Sequence, residues 1–379
     1  MRTGFTSPSS GNQHQNEGGR GLSQSCARDV RALTLPHAPS ARTTRTRWPL
    51  LFAVALGCTM PSPRDSDAPV SSDEDLCAFM ASMGYVDGSC GDDDATGRPV
   101  GVLLNSAACD VPRLIVSGQS IRVVTPGGTE LQRIDTPWNL RSATPLDDGG
   151  YLVVRYGYGG LVRLDATGEV VWERAGLFHH HAALDGETVW TLFRSGAPVQ
   201  WNPILHSRPT EQVVRLDLAT GDTMAMWDID DLVPPGLPDG PRKDPWHPNR
   251  VQPLPGGGLL LSLREANAVL TVWPGTERAP KVWEGPWTAQ HAPSVVEGGG
   301  LLVFDNGGRR VIETNTDGQV VWSHPVKSHA WGYAERTPCG TTLVADTVAR
   351  RVLEVTDDHR IVWDYRTEGP VMEASTRRQ

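Results

Sequence analysis

Three kinds of short segment recur in a fixed order from residue 112 onward. The first is a glycine-rich turn running into an unbroken apolar stretch: Gly149-Gly-Tyr-Leu-Val-Val154, Gly256-Gly-Gly-Leu-Leu-Leu261, Gly298-Gly-Gly-Leu-Leu-Val303 and Gly340-Thr-Thr-Leu-Val344. The second alternates apolar and polar residues, as in Gly160-Leu-Val-Arg-Leu-Asp165, Val213-Val-Arg-Leu-Asp217, Arg310-Val-Ile-Glu313 and Arg351-Val-Leu-Glu354. The third follows a tight turn and ends in tryptophan: Thr167-Gly-Glu-Val-Val-Trp172, Asp317-Gly-Gln-Val-Val-Trp322 and Asp358-His-Arg-Ile-Val-Trp363, with weaker copies ending at Trp227 and Trp283. Strict alternation marks a strand with one covered face, a short all-apolar run a strand covered on both, and the Thr-Gly or Asp-Gly turns join neighbours into hairpins.

The tryptophans are 55, 56, 39 and 41 residues apart. Four strands repeating at about 40–45 residues is the pattern of a β-propeller blade. Six units are expected, starting near Pro112, Pro137, His180, His247, His291 and His329. The all-apolar strand would be an inner one and the tryptophan strand would pack between blades. A sandwich or an open solenoid is the alternative. The fold class expected is all-β, a six-bladed β-propeller over 105–379.

The region before this body reads differently. Residues 1–41 lack apolar periodicity and read as a disordered extension or as sequence upstream of the true start. Arg42, Arg45 and Arg47 then precede Trp48-Pro-Leu-Leu-Phe-Ala-Val-Ala-Leu-Gly57 and Cys58. A basic segment, an apolar stretch too short to span a bilayer and a small residue form a secretory signal over 42–57. Ala55-Leu-Gly-Cys58 resembles a bacterial lipobox, with Cys58 as the lipidated residue and Thr59 in the place that suits outer-membrane sorting. Plain secretion is the alternative. Residues 58–104 then form a tether. Within it, Leu76, Phe79, Met80 and Met83 predict a short helix, bracketed by Cys77 and Cys90. The aspartate-rich run from Asp87 to Gly97 lacks the spacing of a calcium loop and reads as solvated.

Export changes what the cysteines and charges mean. Cys77 with Cys90 and Cys109 with Cys339 are the expected disulfides, although four cysteines allow three connectivities. The chain carries a net charge of −9, and residues 1–57 hold seven arginines against two acids, so the exported body is more acidic still. Such a balance excludes a nucleic-acid coat or a polybasic membrane binder.

The candidate chemistry lies at the blade starts. Asn139 and Arg141, then His179-His-His181, His247-Pro-Asn249, His291 and His329 come just upstream of successive inner strands, and so would face one axial funnel. Arg264 ends the apolar strand of the His247 unit and would join them. Three consecutive histidines could be metal ligands, but no carboxylate or thiolate partners accompany them, and no metal is expected. Histidines plus arginine suit an oxyanion: arginine offers a fixed fork, and neutral imidazole serves as nucleophile or base near pH 7. A sulfuryl or phosphoryl group fits that set. Trp138, Trp246, Trp287, Trp331 and Tyr333, also near blade starts, could wall an aromatic slot.

Asp244-Pro-Trp-His247-Pro-Asn249-Arg-Val251, then Leu261-Ser-Leu-Arg264, then Gln290-His291 followed by Phe304-Asp-Asn-Gly307 resemble the ordered motifs of the bacterial arylsulfotransferases. The resemblance runs from about residue 150 to 365. It implies an exported six-bladed propeller that moves a sulfuryl group from a phenolic sulfate ester to a phenol, with no nucleotide sulfate donor and no cofactor. It implies that His291 is transiently sulfurylated, that His247 and Arg264 hold the sulfuryl oxygens, that Asn249 contacts substrate, and that His180 is a second histidine exchanging protons. The family's His-His motif usually continues with aspartate, where this chain has His181. The family's extra N-terminal β-rich module has no counterpart here. The partners implied are an aryl sulfate donor and a phenolic acceptor, with membrane contact only through a lipid anchor. The rival readings are a non-enzymatic envelope lipoprotein that binds a protein or glycan, and a quinone- or metal-dependent propeller oxidoreductase.

Overall fold

The computed structural model describes residues 99–377, apart from 107, 158, 196–209, 239, 241–243 and 330. The extension, the signal segment with Cys58, the tether helix and the Cys77/Cys90 pair lie outside the described residues. The described chain is an all-β, six-bladed propeller; its one helix among these residues is the single turn Ile229–Leu232.

Six antiparallel sheets follow one another. Blade II covers 140–174, blade III 178–228, blade IV 248–283 and blade V 291–325. Blade VI takes four strands from 333–366, and Gly101–Asn105 pairs with Ile361–Arg366 as a fifth, outermost strand. That strand falls on the tether side of the boundary read at 105. Blade I takes its outer three strands from 113–135, but its innermost strand is Val371–Thr376, from the C-terminal end of the chain. This closure explains why the first unit looks short in sequence. The innermost strands touch in a complete circle: Val371–Thr376, Leu140–Pro145, Phe178–Asp185, Pro248–Pro253, His291–Val295, Tyr333–Arg336, and back to Val371–Thr376.

The all-apolar strands are second from the axis; the segments upstream of them, where the histidines lie, are the innermost strands. Their unbroken hydrophobicity follows from burial on both faces. Successive side chains point to opposite sides of a strand, and here they feed two separate cores. Leu259, Leu261 and Leu263 pack toward blade III while Leu260 packs toward blade V. Leu302 and Phe304 pack toward blade VI while Leu301 and Val303 pack toward blade IV. Six such clusters occur, one between each neighbouring pair of blades. Each fully buried Leu or Val contributes about 1.5–3 kcal/mol, so no blade holds its core without both neighbours.

The tryptophans that end the units sit on the outer strands and reach the next blade. Trp172 of blade II donates its indole N–H to the carbonyl of Leu218 in blade III at 2.9 Å, against Gly221, where a Cβ would clash with the indole. Trp363 of blade VI donates to the carbonyl of Pro126 in blade I at 2.8 Å. At that last junction, Cys109 and Cys339 form a disulfide with Cα atoms 5.5 Å apart. Beside it the Arg113 guanidinium is paired with Glu354, both buried, and lies 4.7 Å above the Trp363 ring. Glu354 also accepts from the Cys109 N–H and the Thr341 hydroxyl, each at 2.7 Å. The junction at which the ring closes thus carries a covalent tie and a buried ion pair.

Candidate active site

Five of the six innermost strands lose register near their starts. The pairing shifts at Leu140/Ser142, at Thr191/Leu192 opposite the His180–His181 pair, at Pro248/Arg250, between His291 and Ser294, and at Val116/Ser117 opposite Met372. A bulge inserts an unpaired residue and re-aims its side chain. The residues displaced include Arg141, His180, Asn249 and Ala292. His180, His247, Ala289 and Ala292 also have positive φ, between 44° and 61°. Each such residue costs of order 1 kcal/mol or more, and four cluster where the strands converge on the axis.

The result is a pocket lined by Arg141, His180, Asn249, His291, Tyr333 and Glu373, among others. His180 lies edge-on to His247 with ring centroids 4.9 Å apart, and 6.3 Å from the His291 ring. His291 Nδ1 is 2.6 Å from Asn306 Oδ1. An amide oxygen only accepts, so Nδ1 carries the proton and Nε2 the lone pair. Burial, reinforced by the charges of Arg141, Arg264 and His247, holds His291 well below the ordinary histidine range, so it is neutral. Burial and the neighbouring His247 and Arg141 do the same for His180.

The other histidines are held by a chain of charges. His247 Nδ1 donates to Asp244 Oδ2 at 2.5 Å, and Asp244 Oδ1 accepts from Arg194 at 2.7 Å. Arg194 also pairs with Glu211 at 2.5 Å, and Glu211 accepts from His179 Nε2 at 2.9 Å. His179 Nδ1 is 2.8 Å from His180 Nδ1. The chain therefore runs from His247 to the pocket histidine His180. Burial works against the Asp244 charge, but His247 and Arg194 outweigh it and hold the carboxyl well below its usual range. His179 thus bridges Glu211, at Nε2, and His180, at Nδ1.

Three sequence candidates thus come together, with the His180 ring between those of His247 and His291, although His247 is not among the lining residues. Asn249 lines the pocket and donates to the carbonyl of Gln290 at 2.7 Å. Gln290 is fully buried and bridges to Ser262, Leu263 and Ala268 of blade IV. Arg264 is not among the lining residues; it is paired with Glu265, and its charge reaches His291. His329 does not line the pocket either, because blade VI presents Gly332 and Tyr333 there. A Cβ on Gly332 would overlap the Phe304 ring, which fixes the approach of Tyr333 to the axis. Of the proposed aromatic slot only Tyr333 lines the pocket. Trp246, Trp287 and Trp331 are buried in interblade cores, and Trp138 is covered by Arg155. Among the described residues, no three of His, Cys, Asp and Glu form a metal-holding group.

Several site residues escaped the sequence reading. Asp244 and Asn306 lay inside quoted motifs without a role. Arg141 was noticed as a blade-start residue only. Arg250 also lies inside a quoted motif without a role, Tyr333 is read only as part of an aromatic wall, and Glu373 carries no local signal.

Residues 238–368 match the family model described as arylsulfotransferase (ASST). No significant match is found among curated proteins. A protein of unknown function from Bacteroides caccae has a similar solved structure, at 11% identity and a TM-score of 0.51, over 70% of this chain and 98% of that one. A chain of a nidogen/laminin complex is similar at 10% identity and a TM-score of 0.50, over 70% and 97%. At such identity these two share the fold alone. Over residues 238–368, then, the chain carries the sequence pattern of the arylsulfotransferase family, on a six-bladed β-propeller.

Proposed function

We propose that the protein transfers a sulfuryl group from an aryl sulfate to a phenol through a sulfohistidine at His291. The observation that carries this reading is the His291–Asn306 contact: it leaves Nε2 as the lone-pair atom of a neutral, buried imidazole that faces a cation-bearing pocket. Nε2 attacks sulfur, the bond from sulfur to the phenolic oxygen breaks, and the ring becomes a cation whose Nδ1–H bond to Asn306 strengthens. An acceptor phenol then gives up its O–H proton to a pocket base and attacks the same sulfur, and the Nε2–S bond breaks to restore neutral His291. Covalent catalysis divides one displacement into two easier ones. His247, oriented by Asp244, and the charges of Arg141 and Arg264 oppose the negative sulfuryl oxygens. A donor of this kind lost from an oxyanion site costs about 10²–10³ in rate. In this reading the donor and acceptor are small aromatic molecules, and the reaction takes place in the cell envelope, with Cys58 as a lipid anchor.

The test is acceptor-dependent release of a chromogenic phenol from 4-nitrophenyl sulfate, with His291→Ala alongside. The reading expects turnover in the wild type and its loss in the variant. Turnover that survives His291→Ala would refute it.

A further inference from the structure

Glu373 sits on Val371–Thr376, the strand that closes the ring, and lines the pocket with His180 and His291. Its carboxylate is held loosely. Oε2 accepts from the Ala143 N–H at 3.2 Å, and Oε1 lies 3.9 Å from Arg250 Nη1. The other buried carboxylates are tied down. Glu211 is paired with Arg194 and His179, Glu354 with Arg113, and Asp346 accepts from Ser328 and Lys327. A tightly bridged carboxylate is structural; one that is buried, in the pocket and only partly bonded is free to exchange a proton with what enters.

We infer that Glu373 exchanges the proton with the phenolic oxygen in both half-reactions, as acid for the leaving phenolate and as base for the acceptor. This rests on the sulfuryl-transfer reading and refines it, because that role otherwise falls to His180.

The groups around Glu373 fit the assignment. Arg141 faces it from blade II, Arg250 from blade IV, and Tyr333 and Glu335 from blade VI, while His180, His181 and His291 share the pocket. Burial pushes the Glu373 carboxyl up to about 7, against the pull of Arg250. A group poised near neutrality serves both as acid and as base. His180 is poorly matched: it lies among like charges, its Nδ1 is spent on His179, and it is too weakly basic to hold a proton near neutral pH. A bound sulfate ester adds negative charge beside Glu373 and favours its protonated form, the form the first step needs.

The steps balance. In the first, the His291 Nε2–S bond forms, the S–O bond of the donor breaks, and the Glu373 proton passes to the departing phenolate oxygen. In the second, the acceptor O–H proton passes to the Glu373 carboxylate as the new S–O bond forms and the Nε2–S bond breaks.

The experiment separates the half-reactions in Glu373→Gln, which keeps the side-chain shape and the acceptor for Ala143. Adduct formation from 4-nitrophenyl sulfate, whose phenolate leaves without a proton, should stay within a few-fold of wild type; this also reports a folded site. Transfer from the adduct to unsubstituted phenol should fall by about 100-fold or more. Transfer to strongly acidic phenols, already ionised, should be largely restored. Glu373→Asp should retain transfer to phenol with a shifted pH midpoint. Equal slowing for acidic and basic phenols, or no slowing at all, would overturn the inference. So would loss of adduct formation in both variants. Absence of the adduct from the wild type would instead remove the sulfuryl-transfer reading, and this inference with it.

Discussion

Asn306 and His291 meet at 2.6 Å, side-chain oxygen to Nδ1, both buried and both from blade V. The contact selects one tautomer and one ring orientation at once. Asn306→Ala should therefore lower kcat/KM by about 10- to 100-fold through misorientation, while Asn306→Asp, which keeps an acceptor, should recover much of it. Steady-state kinetics on both variants check this; equal losses would mean that Asn306 acts through packing alone.

Asp244 holds His247 at Nδ1, and the His247 ring lies against that of His180. Asp244→Asn removes the charge but can still accept a hydrogen bond. A loss concentrated in kcat, about 10-fold or more, is expected if His247 works on developing charge. A pure rise in KM would place His247 in ground-state binding.

The neutrality of His291 has a pH signature. Its depressed basicity means that it stays uncharged as pH falls past 6.5, the ordinary histidine value. The rate of adduct formation from 4-nitrophenyl sulfate should therefore be flat from about pH 8 to about pH 6. A decline with a midpoint near 6.5 would show an ordinary imidazole.

Glu373 should also be visible without substrate. A carboxyl raised from 4.5 to about 7 on folding contributes fully below 4.5, and that contribution is lost as pH rises through 7. The span corresponds to roughly 3 kcal/mol at alkaline pH. Glu373→Gln should therefore raise Tm by several degrees at about pH 9 and little at about pH 5. Thermal unfolding across this range checks it; a difference independent of pH would contradict the buried-acid assignment.

The Cys109–Cys339 disulfide closes a loop of 230 residues in sequence separation. Removing it with Cys339→Ser should cost about 3–5 kcal/mol in urea unfolding, with little effect on adduct formation, because the bridge lies at the blade I–VI junction. A wild-type urea midpoint would mean that the remaining closure contacts suffice.

The blades were legible because their physics is local: an apolar strand buried on two faces, a hairpin turn and a tryptophan recur in sequence as they do in space. His180, His247 and His291 were legible because each opens an innermost strand, and strand starts share a level on the axis. What was not legible depends on closure. Val371–Thr376 has no unit around it, so neither its place in blade I nor the role of Glu373 could be read from its neighbours. His329 failed for a related reason: blade VI begins its inner strand four residues later, at Tyr333. Arg264 ends its strand as expected, yet a neighbouring carboxylate, Glu265, holds its guanidinium. The tryptophans near the blade starts went to interblade cores because indoles of that size fill those gaps.

The most direct measurement is mass spectrometry of the protein after reaction with an aryl sulfate and no acceptor. The account predicts a sulfuryl adduct on His291, absent in His291→Ala and discharged by added phenol. A folded protein that releases phenol with no adduct, or carries the adduct on another residue, would contradict it.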